Sequence, residues 1–373
     1  MNILTSLFTD YYEQIKYSLN TRPIVMETID KFLSCGDPSS GGAMYFCDKC
    51  AKLKFVPFRC HSRLCPTCGY HYSVKRSTSM SFKFVNCQHR HCVFTIPEQL
   101  REYFLNDRKL LNCLFSAVNS VISRMFLKIS KKENFIPGFA CVLHTFGRDL
   151  KWNPHIHVLV TEGASGIITP WKHVKHFNYT YLRNAFRTAL LNELHSAIGH
   201  SFKKMKSFIY KYCSNGFYVY AKPNKCKPTE ISLYIGRYLG RVPIAMSRID
   251  SYDGEFVTFH YNRHEDDKLI IETLPAIDFI KRLIRHIPDK HFKQLRYYGL
   301  YASTTKRKHK LVYAIPKFKH IFHKMLTSWR VAIHLAFNYD PLVCSCGNTM
   351  TLLEIYYPKS SLINLYEKAF NSS

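Results

Sequence analysis

The residues most able to do chemistry are two histidines separated by one isoleucine, in the segment WNPHIHVLVTEG. In a β-strand successive side chains point to opposite faces, so His155 and His157 project from one face and Ile156 from the other. Two imidazoles fixed on one face supply half of a metal site. The alternative is two polar residues on a solvated sheet face, because a chain with 19 histidines holds about one such pair by chance. We interpret His89 and His91, in QHRH, as that chance pair.

Two Cys-x-x-Cys pairs in the first part of the chain have the spacing of metal ligands. Cys47 and Cys50 form the first pair, and Cys65 and Cys68 follow after fourteen residues. Each pair fits a turn that directs two thiolates at one tetrahedral zinc, so the spacing predicts a four-thiolate structural site. A redox pair or buried free cysteines are the alternatives. A closed zinc site contributes to folding and DNA contact rather than to chemistry.

Other cysteines leave the number of zinc ions open. Cys35, Cys60 and His61 lie close enough in sequence to replace one ligand or to hold a second ion. Cys344 and Cys346 are only one residue apart, and such a pair alone predicts zinc weakly. The 14 cysteines occur in a long chain without an export signal, so a secreted disulfide framework is not expected.

The charge balance favours nucleic acid as the partner. The chain has 53 lysines and arginines against 26 aspartates and glutamates, a net charge of +27. These basic residues are interleaved with 25 tyrosines and 27 phenylalanines, as in grooves that follow phosphates while rings stack on bases. A compositional bias of the host is the alternative. No apolar run has the length of a membrane span and no signal-peptide pattern is found, so we expect a soluble cytoplasmic protein without a membrane partner.

The pattern of apolar residues predicts strands separated by helices. We expect a helical lead-in over residues 1–34, a long amphipathic helix from Glu98 to Lys128 and helical, basic sequence from about Leu274. The segments HCVFTIP, GFACVLHTF and HIHVLVT are expected to be strands, the last two paired, and a hairpin is expected to turn at Asp253-Gly254. This order predicts an α+β fold, in which helices pack over a sheet.

Two tyrosines four residues apart lie in LYIGRYLGR, a segment predicted to be helical. That spacing places Tyr234 and Tyr238 on one helix face, with Arg237 and Arg241 nearby. A hydroxyl that attacks a phosphodiester needs a metal to polarise the phosphate and cations to hold the developing charge, and a helix across from the histidine pair would supply this arrangement. Coincidence is the alternative, since tyrosine is common in this chain.

Five segments, taken in order, resemble one known family. They are CDKC…PFRCHSRLCPTC, VFTIP, HTFGRDLKWNPHIHVLV, YIGRYLGRVPIAMSRI and RYYGLYA. From about Cys35 to Met350 the chain resembles the transposases of the insertion sequence 91 family, bacterial rolling-circle enzymes of the HUH endonuclease superfamily. The shared order across unrelated spacings makes the resemblance specific.

The resemblance implies an antiparallel sheet whose central strand carries His155 and His157, faced by a helix that bears the tyrosine nucleophiles. Tyr234 and Tyr238 would attack DNA phosphates in turn, each leaving a 5′-phosphotyrosine and a free 3′-hydroxyl. No nucleotide cofactor is then needed, because the covalent link conserves the bond. The catalytic ion is expected to be Mg²⁺ or Mn²⁺.

The superfamily commonly takes a third metal ligand from the neighbouring strand. His144 fits this role, because it lies across the proposed hairpin from the histidine pair. On its own strand it is in phase with Val142 rather than with Leu143. A polar residue at the end of a strand is the alternative. Asp149 and Glu162 are the fallback ligands, which would offer oxygen atoms.

The resemblance also divides the chain into four parts. We expect a helical lead-in at 1–34, a zinc-ribbon-like domain at 35–75, an HUH nuclease and strand-transferase domain at 76–265, and a basic, mainly helical region at 266–373. Two features depart from the family. Only Ser345 separates the C-terminal cysteines, which weakens the case for a second zinc, and Ala43 stands near a position where the family often has histidine.

The expected function is that of a transposase, which cleaves and rejoins single-stranded DNA at the ends of a bacterial insertion sequence and at its target. A plasmid replication initiator or a conjugative relaxase uses the same chemistry, but the zinc-first order of this chain favours the transposase. A non-catalytic zinc-ribbon DNA-binding protein is the alternative from another class, in which the histidines and tyrosines serve stability alone. We expect the protein to associate with the nucleoid or a plasmid, and its oligomeric state stays open.

Overall fold

Helices and antiparallel strands alternate along the chain, which confirms the predicted α+β class. The structure is a computed structural model and describes residues 2–62, 64–221, 243–305 and 317–357. The described helices are α1 (Ile3–Asp10), α2 (Tyr12–Ser18), α3 (Pro23–Leu33), α4 (Pro66–Lys83), α5 (Glu98–Asn106), α6 (Leu111–Leu127), α7 (Tyr179–Ile198), α8 (Lys203–Tyr212), α9 (Ala276–Ile284), α10 (Lys317–Leu326) and α11 (Trp329–Phe337). The described strands are β1 (Gly42–Phe46), β2 (Leu53–Pro57), β3 (His89–Thr95), β4 (Ile136–Phe146), β5 (Trp152–Ser165), β6 (Lys172–His173), β7 (Val219–Tyr220), β8 (Ile249–Tyr252), β9 (Phe256–Asn262), β10 (Leu269–Pro275), β11 (Leu295–Gly299) and β12 (Thr351–Tyr356).

The central sheet has the strand order β11-β4-β5-β3-β7, with β6 beside β5, and its pairs are antiparallel. β4 and β5 form the predicted pair, and their register sets His144 directly opposite His155. β3 lies along the other side of β5, with Val93 opposite His157. Alternate residues of these three neighbouring strands therefore share one face of the sheet.

The other face of the central sheet is apolar and is covered by helices. Phe94, Phe139 and Val158 point from three strands into a buried core that α5, α6 and α7 close. The sequence predicts one helix from Glu98 to Lys128, and this prediction is wrong. Asp107 has an extended backbone and its carboxylate accepts the Lys109 N–H at 2.9 Å, so a local bond replaces the helical one between α5 and α6.

One described stretch, Arg108–Leu127, is long and apolar enough to cross a membrane. More than half of its most apolar window, 56%, is buried inside the protein. Its side chains Leu114, Val118 and Val121 belong to the core beneath the central sheet, so it occupies the position of a core helix.

The histidine-bearing face of the central sheet is covered in part by α4. Met80 and the adjacent Phe84 pack on Ala140, Val142 and Leu159 of β4 and β5. Because α4 begins at Pro66, directly after Cys65, one helix connects the cysteine-rich segment to the face that carries the histidines.

A second sheet, β10-β9-β8, lies against the N-terminal helices. Leu4 and Phe8 of α1 share a buried cluster with Phe259 of β9 and Phe279 of α9. β8 and β9 form the predicted hairpin, in which Gly254 has a φ of 104°, a conformation that favours glycine. The Tyr252 hydroxyl donates a hydrogen bond to the Asp10 carboxylate, 242 residues away in sequence. The helical lead-in is therefore packed on a distant part of the chain.

A third sheet joins a hairpin that follows the N-terminal helices to the last described strand. β1 and β2 form a hairpin, and β12 adds to β1 as its other neighbour. The region 266–373 was expected to be mainly helical, but its described part contributes β10, β11 and β12 to three different sheets. Pairing between distant strands depends on tertiary contacts, so the local pattern does not reveal it.

Candidate active site

Three imidazoles converge on one face of the central sheet. His155 and His157 project together from β5, and His144 projects from β4 opposite His155. One ring nitrogen from each lies within 4.8 Å of the others. The centroids of the His144 and His157 rings are 4.4 Å apart, and both residues are buried. The sheet therefore brings together the three histidines that the sequence proposed as metal ligands.

One hydrogen bond sets the tautomer of His155. Its Nδ1 lies 2.7 Å from the Asn153 carbonyl oxygen, which accepts only, so Nδ1 carries the proton. The unprotonated Nε2 lies 3.1 Å from Nε2 of His157. Adjacent ligands at ~2.1 Å from an octahedral ion are about 3.0 Å apart, so this separation fits a shared divalent ion.

His91 is a further member of the site that the sequence interpretation missed. It lies on β3, and its Nε2 is 2.9 Å from Nδ1 of His157, with the two rings stacked at 5.2 Å. When Nε2 of His157 binds a metal, Nδ1 carries the proton and donates it to His91. The interpretation of QHRH as a chance pair is therefore wrong for His91. The sequence signal that could have identified His91 is its alternation along β3, which places it on the same sheet face as His155 and His157. His89 instead bonds to the Tyr301 hydroxyl at 2.6 Å.

Burial keeps these imidazoles neutral, the form that binds metals. Desolvation lowers the pKa of His155 to about 4 and that of His91 to about 4. It also lowers the pKa of His157 well below the usual value, with His144 adding to the effect. At neutral pH each of these three rings is therefore uncharged and has one nitrogen with a free lone pair.

The fallback carboxylates lie outside this cluster. Glu162 pairs with Arg90 at 2.6 Å, and both side chains are buried on the apolar face of the sheet. Asp149 accepts the Lys151 N–H at 3.1 Å in the turn between β4 and β5. Neither carboxylate belongs to the cluster of His144, His155 and His157.

A cleft with a volume of about 420 Å³ opens at the His144 end of the sheet. His144 and Phe146 form part of one wall, and Cys60 and His61 contribute from the cysteine-rich segment. Pro243, the first described residue after 222–242, also lines it. The cleft therefore connects the cysteine-rich segment to the histidine cluster.

The proposed nucleophiles and their neighbouring cations lie outside the described residues. These four are Tyr234, Tyr238, Arg237 and Arg241. The described chain stops at Ala221, and the adjacent Tyr220 ring lies 6.1 Å from the His91 ring. Both described flanks of the segment 222–242 thus lie beside the histidine cluster or its cleft.

Cys35, Cys60, Cys65 and Cys68 form one of two cysteine clusters. Their sulfur atoms are 3.6 Å apart between Cys60 and Cys68 and 3.7 Å between Cys35 and Cys68. Four sulfurs at ~2.3 Å from zinc lie about 3.8 Å apart along a tetrahedral edge, so the cluster fits one ion. The thiols of Cys60, Cys65 and Cys68 lower the pKa of the Cys35 thiol well below its usual value. Cys65 and Cys68 also lie at the N-terminus of α4, where the helix dipole favours thiolates.

The second cluster combines cysteines that are far apart in sequence: Cys47, Cys50, Cys344 and Cys346. The spacing predicted instead that the first two would share an ion with Cys65 and Cys68, and the structure does not bring those four together. The physical reason is β2, which runs between the pairs. Cys47 and Cys50 lie in the turn of the β1–β2 hairpin, and five residues of extended chain, spanning about 17 Å, carry the backbone away before Cys60.

Two regions of the chain match families of transposase domains. Residues 138–309 match the family described as "Putative transposase", and residues 7–96 match the "Transposase zinc-binding domain". The first match contains all three converging histidines, and the second contains the first cysteine cluster and His91. The protein is therefore a transposase with a zinc-binding domain that holds structural zinc, and DNA is its partner.

Two bacterial relatives extend the similarity over most of the chain. The chain is 30% identical over 297 residues to the "Transposase for insertion sequence element IS801" of Pseudomonas savastanoi pv. phaseolicola, covering 76% of this chain and 71% of the relative. It is 25% identical over 288 residues to "Putative transposase y4qJ" of Sinorhizobium fredii (strain NBRC 101917 / NGR234), covering 72% of each. The chain belongs to the insertion sequence 91 family of transposases. No solved structure matches it significantly.

Proposed function

We propose that the protein cleaves and rejoins single-stranded DNA through covalent tyrosine intermediates, with a divalent ion held by His144, His155 and His157. The observation that carries this proposal is the convergence of three imidazoles on one rigid sheet face. Their ring nitrogens are spaced for one ion, and they lie within the part of the chain that matches a transposase family.

The donor set fits a divalent ion that accepts nitrogen ligands. Three imidazoles suit Mn²⁺ better than Mg²⁺, which prefers oxygen, although abundance in the cell favours Mg²⁺. Such an ion would act as a Lewis acid on a phosphate oxygen of the DNA. His91 and the Asn153 carbonyl fix the ring orientations of His157 and His155, so the ligands are held ready before the ion binds.

In the proposed step Tyr234 or Tyr238 attacks a DNA phosphorus atom. The phenol loses its proton, a bond forms between the tyrosine oxygen and phosphorus, and the bond from phosphorus to the 3′-oxygen breaks. The leaving 3′-oxygen takes up a proton, and the 5′-phosphate stays on the enzyme. Arg237 and Arg241 would bind the DNA phosphates. Attack by a 3′-hydroxyl on the phosphotyrosine reverses these changes and joins the strands.

Two described contacts support this assignment of the tyrosines. The chain enters the segment 222–242 from β7, beside His91, and leaves it at Pro243, in the cleft next to His144. We propose that DNA runs along this cleft from the first cysteine cluster, whose Cys60 loop lines it, to the histidines. The protein would act in the bacterial cytoplasm on nucleoid or plasmid DNA.

A denaturing-gel assay tests the proposal. Wild type, Tyr234→Phe, Tyr238→Phe and the double variant are incubated with labelled single-stranded DNA that spans the element's end, with Mn²⁺ or with EDTA. We expect a covalent adduct in Mn²⁺ that EDTA and the double variant abolish, and the single variants show which tyrosine acts first. Tyr17→Phe, at an exposed ring far along the chain from the site, is the matched control and keeps the adduct.

Two outcomes of the gel assay would contradict the proposal. Tight DNA binding without an adduct under any metal would overturn the proposal and favour the non-catalytic DNA-binding protein. An adduct that persists in the double variant would show that another residue is the nucleophile.

A further inference from the structure

We infer that Cys47, Cys50, Cys344 and Cys346 bind a second structural zinc ion, which fastens the C-terminal strand β12 to the N-terminal hairpin. Neither matched family region includes Cys344 or Cys346. The site differs from the one formed by Cys35, Cys60, Cys65 and Cys68, and it does not depend on the tyrosine chemistry proposed above.

The sulfur geometry fits a tetrahedral ion. Sγ of Cys47 lies 3.5 Å from Sγ of Cys346, and Sγ of Cys50 lies 3.5 Å from Sγ of Cys344. All four sulfurs lie within 4.8 Å of one another. A tetrahedral zinc with four thiolates needs sulfur separations of about 3.8 Å, which these approach without rearrangement of the backbone.

Both halves of the site are tight turns built to hold thiolates. In the first, the Ala51 N–H bonds to the Cys47 carbonyl oxygen at 2.8 Å. In the second, the Gly347 N–H bonds to the Cys344 carbonyl oxygen at 2.9 Å, and Gly347 has a φ of 83°, which favours glycine. The Asn348 amide lies 4.0 Å from the Cys47 sulfur and donates towards it. Lys52 bonds to the Ser345 hydroxyl at 2.8 Å, so a cation lies beside the site to offset its charge.

The surrounding structure needs such a link, because it buries little apolar surface. Every residue of β12 is exposed. The buried cluster around the site consists of Cys47, Cys344 and Met350, with Tyr45 packed against it. A core this small does not hold a distant strand in place, and small domains of this kind are commonly fastened by metal ions or disulfides.

The position of the site explains its proposed role. Cys50 and Cys344 are 294 residues apart in sequence, yet β12 pairs with β1 next to them. On the same side, Lys54 bonds to the Pro341 carbonyl oxygen at 2.9 Å and the Tyr45 ring stacks on Trp329 at 6.4 Å. The second zinc would therefore complete the zinc-binding domain with a segment from the far end of the chain.

The zinc content of the full-length protein tests the site. Zinc per chain is measured by mass spectrometry for wild type, Cys344→Ser/Cys346→Ser and Cys65→Ser/Cys68→Ser, with Cys87→Ser/Cys213→Ser as the control from outside both clusters. We expect the first two variants each to lose one zinc relative to wild type and the control to lose none. An unchanged zinc content in Cys344→Ser/Cys346→Ser would overturn the inference.

Hydrogen exchange tests the fastening role and detects general misfolding. In Cys344→Ser/Cys346→Ser we expect the amides of Thr351–Tyr356 to exchange at least tenfold faster, while those of β4 and β5 keep their protection. Equal protection of Thr351–Tyr356 in the variant and wild type would show that the ion does not hold β12. Because neither measurement uses DNA, these results are separate from those of the adduct assay.

Discussion

At the scale of single residues, the histidine cluster depends on partners that do not bind the ion themselves. Nε2 of His91 lies 2.9 Å from Nδ1 of His157 on the neighbouring strand, where it would accept that proton once Nε2 of His157 binds an ion. The Asn153 carbonyl accepts the Nδ1 proton of His155 from two residues away on the same strand. Such partners fix the tautomer and the ring plane of a ligand before the ion arrives. In the proposed site His91 would therefore be a positioning residue, and its effect is expected on metal affinity first.

Replacing His91 tests that role. His91→Ala removes the acceptor for His157 Nδ1, so we expect Mn²⁺ affinity to fall about 10- to 100-fold. His91→Gln, whose amide oxygen accepts the same proton, should restore most of it. Titration calorimetry with Mn²⁺ measures both, and His173→Ala, at an exposed histidine on β6, is the control. Unchanged affinity in His91→Ala would contradict the role.

His286 is expected to make the stability of the protein depend on pH. It is buried, its Nε2 donates to the Leu150 carbonyl at 2.9 Å, and burial lowers its pKa to about 3. The unfolded chain, with a pKa of about 6.5, binds a proton that the folded protein does not, so stability falls as pH falls below that value. This residue should cost about 2 kcal/mol of unfolding free energy between pH 7 and pH 5.

Urea denaturation at several pH values measures this contribution. We expect His286→Gln to show a smaller loss of stability than wild type over the same pH range. His264→Gln, at an exposed histidine, should follow the wild-type curve. Parallel curves for His286→Gln and wild type would show that His286 is protonated with similar ease in both states.

At the scale of elements, the sequence predicted the features that depend on short-range patterns, such as the alternation of side chains along a strand. The phase of His155, His157 and His144 on a hairpin followed from alternation along the strands, and the register of β4 and β5 confirms it. The break at Asp107 and the division of the cysteines did not follow, because each depends on where the chain turns. Periodicity does not specify that β2 separates Cys50 from Cys60, or that β12 returns to β1.

The two faces of β5 are expected to have separable roles. Glu162 pairs with buried Arg90 on the apolar face, and Arg90 also donates to the Lys175 carbonyl at 2.7 Å. Glu162→Gln leaves Arg90 with an uncompensated charge, so we expect a loss of roughly 3–5 kcal/mol in unfolding free energy. Mn²⁺ affinity of the folded protein should stay unchanged, because the carboxylate lies on the face opposite to His157.

Urea denaturation and Mn²⁺ titration of the same sample check both expectations. Glu265→Gln, at an exposed carboxylate, is the control and should change neither. A large fall in Mn²⁺ affinity with stability intact would instead identify Glu162 as a metal ligand.

At the scale of the whole molecule, the positive charge and the clusters of potential metal ligands are consistent with an enzyme that acts on DNA. A net charge of +27 attracts the DNA backbone over long distances. The cleft beside His144 is lined by the Cys60 loop and by α3, so residues from the zinc-binding domain and from the histidine-bearing face meet in one place. Segments distant in sequence meet as well, since β12 lies on β1. In the proposed function, this arrangement would make the zinc-binding domain part of the surface that presents DNA to the histidines.

The most direct test of the central claim is anomalous diffraction from crystals of the full-length protein grown with Mn²⁺. We predict a manganese peak between the imidazole nitrogens of His144, His155 and His157, and zinc peaks at the two cysteine clusters. A manganese site elsewhere, or an empty histidine cluster at saturating Mn²⁺, would contradict the assignment of these three residues as the catalytic metal ligands.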